Sequence, residues 1–157
     1  MTIPPAIPAH EYSGARALIA LHEHHMREFL ATWREAKAKD IALPETNDPD
    51  YETLDALLLH VLTGPTHYMG WICKTMELPE PGFGEIPAIE VIEKEADSFL
   101  DDALAKWRTP LAELPGESFE FESEAAWGPV YCVDAMLEHA VMHPIRHTFQ
   151  LRNLMGK

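Results

Sequence analysis

The chain has no long apolar run, only two cysteines and few basic residues, and each shortage removes a class of protein. A membrane-spanning helix needs about 20 consecutive apolar residues, and none is present. The N-terminus, Met1-Thr2-Ile3-Pro4-Pro5-Ala6-Ile7-Pro8, lacks the basic-then-apolar order of a secretory signal, so a cytoplasmic protein off the membrane is expected. Cys73 and Cys132 stand far apart in apolar surroundings without CxxC spacing. That excludes a zinc knuckle and a disulfide framework and predicts two reduced core residues. Twelve Lys and Arg face 26 Asp and Glu, a net charge of −14, and such a surface repels a phosphate backbone. Nucleic acid is not an expected partner. GxGxxG, GxxxxGK[ST] and GxSxG are all missing, and no acid pair has glycosidase spacing, so nucleotide-dependent and serine-hydrolase chemistry have no support.

What is present is a length and a period. With 157 residues, 46% of them hydrophobic, residues 1–157 form one domain with enough apolar material for a core. Prolines 4, 5 and 8 predict an extended N-terminal arm over residues 1–12 that lies on the fold. From Ser13 to about Ala38, Leu18, Leu21, Met26, Phe29 and Trp33 recur at three- and four-residue steps, which is an amphipathic helix. Asp48 before Pro49 reads as the cap of a second helix with Leu54, Leu57, Leu58, Val61 and Leu62 as its stripe. Pro65 predicts a kink or break near Thr63, with helix resuming through Trp71 and Met76. Residues 78–87 are loop by composition, and residues 88–111 return to helical period. The alternation from Glu117 to Glu124 suggests one short extended segment, too short to make a sheet alone. A last helix runs from about Tyr131 to Leu154. Four amphipathic helices with long connecting loops predict an all-α four-helix bundle.

The chemistry sits on the last helix and the second. His143 and His147 are four residues apart, about one helical turn, and so project from one face as paired metal ligands do. His60 lies inside the apolar run Leu57-Leu58-Leu59-His60-Val61-Leu62, where an unpaired ring is costly to bury. Together His60, His143 and His147 can hold one divalent cation and leave a coordination position open, the arrangement of a catalytic site. Zinc or nickel suits imidazole best, with iron, cobalt and manganese as alternatives. His67, seven residues after His60, replaces it if Pro65 redirects the helix face. His139 reads as a packing residue or a support to the ligands. Of His22, His24 and His25, two belong on the surface. Gln150 falls near the ligand face and reads either as a hydrogen-bonding support or as a polar residue at the bundle end. The tryptophans and methionines read as core or pocket lining.

The segments Leu57-Leu58-Leu59-His60, Trp127-Gly128, Met136-Leu137-Glu138-His139 and His143-Pro144-Ile145-Arg146-His147-Thr148-Phe149-Gln150 carry a family likeness. In these residues, and in helix order, the sequence resembles the DinB/YfiT-like superfamily of metal-dependent four-helix-bundle enzymes. The resemblance implies one histidine ligand from the second helix, His60, and an HxxxH pair from the last, His143 and His147, around a divalent metal in an open pocket. It also implies a transferase or isomerase that activates a low-molecular-weight thiol. Two departures stand out: Thr148-Phe149 where many relatives carry Arg-Gly, and Pro144 inside the HxxxH turn. The expected activity is therefore that of a thiol-dependent S-transferase or metal-assisted hydrolase on a small-molecule substrate. The alternative is a non-catalytic metal-binding sensor or dimeric scaffold. A homodimer formed through bundle faces is expected in either case.

Overall fold

The computed structural model describes residues 6–157. Four long helices dominate it: α1 (Ser13–Ala38), α2 (Leu54–Thr75), α3 (Ile92–Trp107) and α4 (Val133–Leu154). α1 packs most extensively on α4, and α2 lies against α3 and α4, so the all-α bundle expected from the period is the architecture observed. The arm has no regular secondary structure over residues 6–10, bends at 11 and 12, and is tied down by Arg16, whose side chain donates to the carbonyls of Ile7 and Pro8. Residues 1–5 of the predicted arm lie outside the described residues. No helix among the described residues is long and apolar enough to cross a membrane.

Each helix end has a local cause. Asp48 does accept from a backbone amide, but the turn it caps is a single 3-10 turn, Pro49–Tyr51. α2 begins later, where the Thr53 hydroxyl accepts from the Ala56 amide. Pro65 does not break α2, which runs unbroken past it. Losing the bond to the Val61 carbonyl costs about 3 kcal/mol in a helix interior. Burial offsets this: Val61, Leu62, Met69 and Ile72 are all fully enclosed, at about 1.5–3 kcal/mol for each such side chain. Pro144 is likewise contained within α4 without ending it. α3 is shorter than its period suggests. Pro110 disfavours helical backbone at Thr109, and at the other end residues 88–91 form turns.

Of the segment expected to be extended, residues 117–120 instead belong to a 3-10 turn, Gly116–Glu120, that buries Phe119, and only its end is a strand, which is not alone. β1 (Glu122–Glu124) pairs antiparallel with β2 (Val130–Cys132), with Ser123 opposite Tyr131. The hairpin turn closes through the Gly128 amide on the Ala125 carbonyl, with Gly128 at φ 107°, a conformation open mainly to glycine. Trp71 of α2 donates to the Glu124 carbonyl and anchors the hairpin to the bundle. Cys132 is half-buried and caps α4, its sulfur accepting from the Ala135 amide; Cys73 is the buried core thiol expected.

The core falls into two apolar clusters. One gathers Met26, Phe29, Trp33, Leu58, Leu62, Leu100 and Leu151; the other gathers Ile19, Met69, Ile72, Trp107, Phe119, Met136 and Leu137. Between them along each chain segment lie polar or proline-bearing positions: His22 on α1, Gly64 and Pro65 on α2, His143 and His147 on α4. His143 and His147 occupy this waist, and His60 stands one turn before it on α2, within the stretch that carries Leu57, Leu58, Val61 and Leu62.

Candidate metal centre

Helix α4 delivers His143 and His147 from successive turns of one face, both almost wholly buried, and α2 delivers His60 from across the bundle. The three side chains come together: one ring nitrogen from each lies within 4.8 Å of the others. His143 Nε2 faces His60 Nε2 at 2.9 Å. The His60 side chain is 25% exposed, so it forms the open rim of the cluster rather than a fully enclosed wall.

The neighbours decide which nitrogen carries a lone pair. His60 Nδ1 lies 3.1 Å from Asp50 Oδ2, and a carboxylate there holds the imidazole proton on Nδ1. His147 Nδ1–H donates to Gln150 Oε1 at 2.9 Å. Both rings therefore turn an unprotonated Nε2 inward. The buried His147 Nε2 has no hydrogen-bond partner among the described residues. An inward lone pair with no donor is a cost that a cation removes. Two imidazole nitrogens on a tetrahedral zinc stand about 3.4 Å apart, so the His60 and His143 rings need to part by only about half an ångström to share one. The residues fit a divalent cation.

Burial sets the charge state. His143 is pushed down to about 2, first by desolvation and then by His147 and His60, and His147 is pushed down to about 4, chiefly by desolvation. Neutral imidazole is the form that binds metal, and the fold enforces it. The close approach of His143 to α2 is possible because residue 64 is glycine: a Cβ there would meet His143 Nδ1 and Tyr68 Cε2 at 3.1 Å each.

The cluster opens on a cleft of about 610 Å³. Asp50 and Tyr51 from the 3-10 turn stand on one side, and the Tyr51 ring lies 5.4 Å from His60 and 5.6 Å from His147 between centroids. On the other side the hairpin carries Trp127 onto His139, the rings near parallel at 5.7 Å, with Tyr68 edge-on to both. His139 is thus packed among aromatic rings on the wall of the cleft, and its pKa is lowered by burial and by Arg146. His67 lines the same cleft but is exposed and is not part of the cluster, so the α2 histidine that joins His143 and His147 is His60. A second cleft, about 360 Å³ and more apolar, lies beyond Tyr51 between Leu43, Leu57 and Leu154; it holds none of the three histidines.

Of the α1 trio only His24 is exposed; His25 is half-buried, held by Glu28, and His22 is buried against Trp107. His24, His25 and Glu28 also come within 4.8 Å of one another, but Glu28 is already held by His25 and Arg152 at 2.9 Å each. Asp50, Tyr51, Gly64 and Tyr68 were not among the residues expected at the site. Asp50 has a signal in hindsight: an aspartate near a ligand histidine is a common proton anchor, yet its place after Pro49 reads first as helix capping. No family model, no curated protein and no solved structure matches the chain.

Proposed function

We propose that His60, His143 and His147 bind one divalent cation through their Nε2 atoms, and that the protein is a metal-dependent enzyme acting on a small molecule in the adjoining cleft. The observation that carries this reading is the inward pair of lone pairs on His60 and His147, fixed by Asp50 and Gln150, with His143 Nε2 2.9 Å from His60 Nε2. Such a metal acidifies a bound thiol or water and polarises a carbonyl. Here burial holds His143 and His147 neutral, Asp50 and Gln150 aim the His60 and His147 rings, and Tyr51, Tyr68 and Trp127 wall the position. The likeness to DinB/YfiT-like proteins supports a thiol-dependent S-transferase, with a metal-assisted hydrolase as the neighbouring chemistry. A cleft of this size beside the open coordination side favours an enzyme over a closed structural site.

The test is metal content of protein made without a histidine tag, after loading with Zn²⁺ or Ni²⁺ at neutral pH. One equivalent per chain is expected, and His147→Ala should lose it. Less than about a tenth of an equivalent in the unaltered protein refutes the site. With Co²⁺ bound, a small thiol should change the visible spectrum; no change with thiols and no hydrolysis of esters or amides makes the protein a non-catalytic metal-binding module instead.

The homodimer belongs to the same proposal. Met142 and Phe149, seven residues apart on α4 and 55% and 64% exposed, leave an apolar stripe outside the bundle. Sedimentation should give about twice 17.7 kDa, and a single species at 17.7 kDa at micromolar concentration removes the dimer without touching the fold.

A further inference from the structure

Six arginines lie in the described residues, and five are engaged. Arg27, Arg34, Arg108 and Arg152 each hold a carboxylate, and Arg16 donates to two backbone carbonyls. Arg146 makes no such contact, although the chain carries 26 acids. It is exposed on α4, one residue before His147, and it lines the 610 Å³ cleft. An arginine left without a carboxylate in a chain this acidic, at the mouth of a cleft, is placed for an anion that comes from outside. Asp50, the cleft's acid, is committed to His60 at 3.1 Å.

The rest of the cleft says what the anion is attached to. Trp127, Ile86 and Ile89 line it while 48%, 45% and 40% exposed, and large apolar side chains at a concave mouth favour an apolar ligand. Trp127 lies nearly flat on His139 with Tyr68 edge-on, an aromatic wall suited to a planar body. The guanidinium fork matches either a carboxylate or a phosphate. A net charge of −14 disfavours a dianion, and one arginine neutralises one charge. We infer that the cleft takes small monocarboxylates with a flat apolar body, the body resting on Trp127 and the carboxylate seated on Arg146. This names the substrate class of the site proposed above and rests on that reading only for the reacting end of the molecule.

The test compares 2-naphthoate with 2-naphthylmethanol and 2-naphthylphosphonate by calorimetry, on metal-free and Zn²⁺-loaded full-length protein. The metal-free arm isolates Arg146 from any binding of carboxylate to zinc. There, naphthoate should bind about tenfold tighter than the alcohol. Arg146→Gln should erase that difference and leave the alcohol's affinity unchanged, and Arg146→Lys should restore part of it. Trp127→Ala should weaken both ligands equally. Equal affinity for naphthoate and alcohol in the metal-free protein, a preference that survives Arg146→Gln, or tighter binding of the phosphonate overturns the inference. Zinc content is read on the same samples. Lost zinc binding with an intact carboxylate preference removes the metal site alone, and bound zinc without the preference removes the carboxylate seat alone.

Discussion

Gly64 on α2 lies directly beneath the imidazole of His143 on α4, so closely that a single added methyl would stand 3.1 Å from its Nδ1. The glycine is expensive in a helix interior, by about 0.8–1 kcal/mol against alanine. Its position explains why it is there: it lets the imidazole of His143 on one helix rest on the backbone of another. Gly64→Ala should therefore lower metal affinity by about tenfold, because the ring must shift off its aim toward His60. Stability of the metal-free protein should stay within about 1 kcal/mol, the helix propensity gained offsetting the crowding. Competition with a chelator reads the first quantity and urea unfolding the second. Unchanged affinity would show that the contact does not position the ring.

The bundle and the histidine pair on α4 were legible in the sequence because both are periodic, and His60 by its place in an apolar run. Apolar steps of three and four residues give helices, and His143 and His147 share that spacing. What escaped was set by contacts that have no period. Asp48-Pro49 carries a genuine capping signal, yet it caps a 3-10 turn, and only the fold shows that the turn holds Asp50 against His60. Pro65 promised a kink or a break, and the break is absent because apolar burial on both sides of it holds the helix together. The strand at Glu122 found a partner eight residues on, through a turn whose glycine was visible but whose pairing was not.

The two caps upstream of His60 should separate stability from metal binding. Thr53 caps α2 itself, so Thr53→Ala should cost about 1 kcal/mol of stability, with a small effect on the metal. Asp48 only holds the turn that bears Asp50, and Asp50 is largely exposed, so Asp48→Ala and Asp50→Asn should cost little stability. Both should weaken metal affinity, Asp50→Asn by about 10–100-fold, since the His60 proton loses its carboxylate. Equal metal affinity in Asp50→Asn and the unaltered protein would sink the role assigned to Asp50.

His22 offers a prediction about acid. It is fully buried, stacked on Trp107 at 3.9 Å between ring centroids, and neither of its ring nitrogens has a hydrogen-bond partner among the described residues. Desolvation alone pushes its pKa down from 6.5 to about 3. The folded ring is therefore neutral between pH 6.5 and about 3, whereas the unfolded ring takes up a proton below 6.5. Unfolding is favoured as pH falls through that window, by about 1.4 kcal/mol per pH unit for this one group, and above pH 6.5 the effect vanishes. His22→Phe keeps the ring stacked on Trp107 and removes both the proton and the unpartnered nitrogens. At pH 7 it should be as stable as the unaltered protein to within about 1 kcal/mol, because the desolvation penalty removed offsets the extra ring volume. At pH 5 it should be ahead by roughly a further 2 kcal/mol, which is 1.5 pH units of the slope. Urea unfolding of the metal-free pair at pH 7 and pH 5 reads the difference directly. If both proteins lose the same stability between the two pH values, His22 is not the group that charges on unfolding, and the acid sensitivity lies with His143 and His147, whose pKa values are lowered in the same direction.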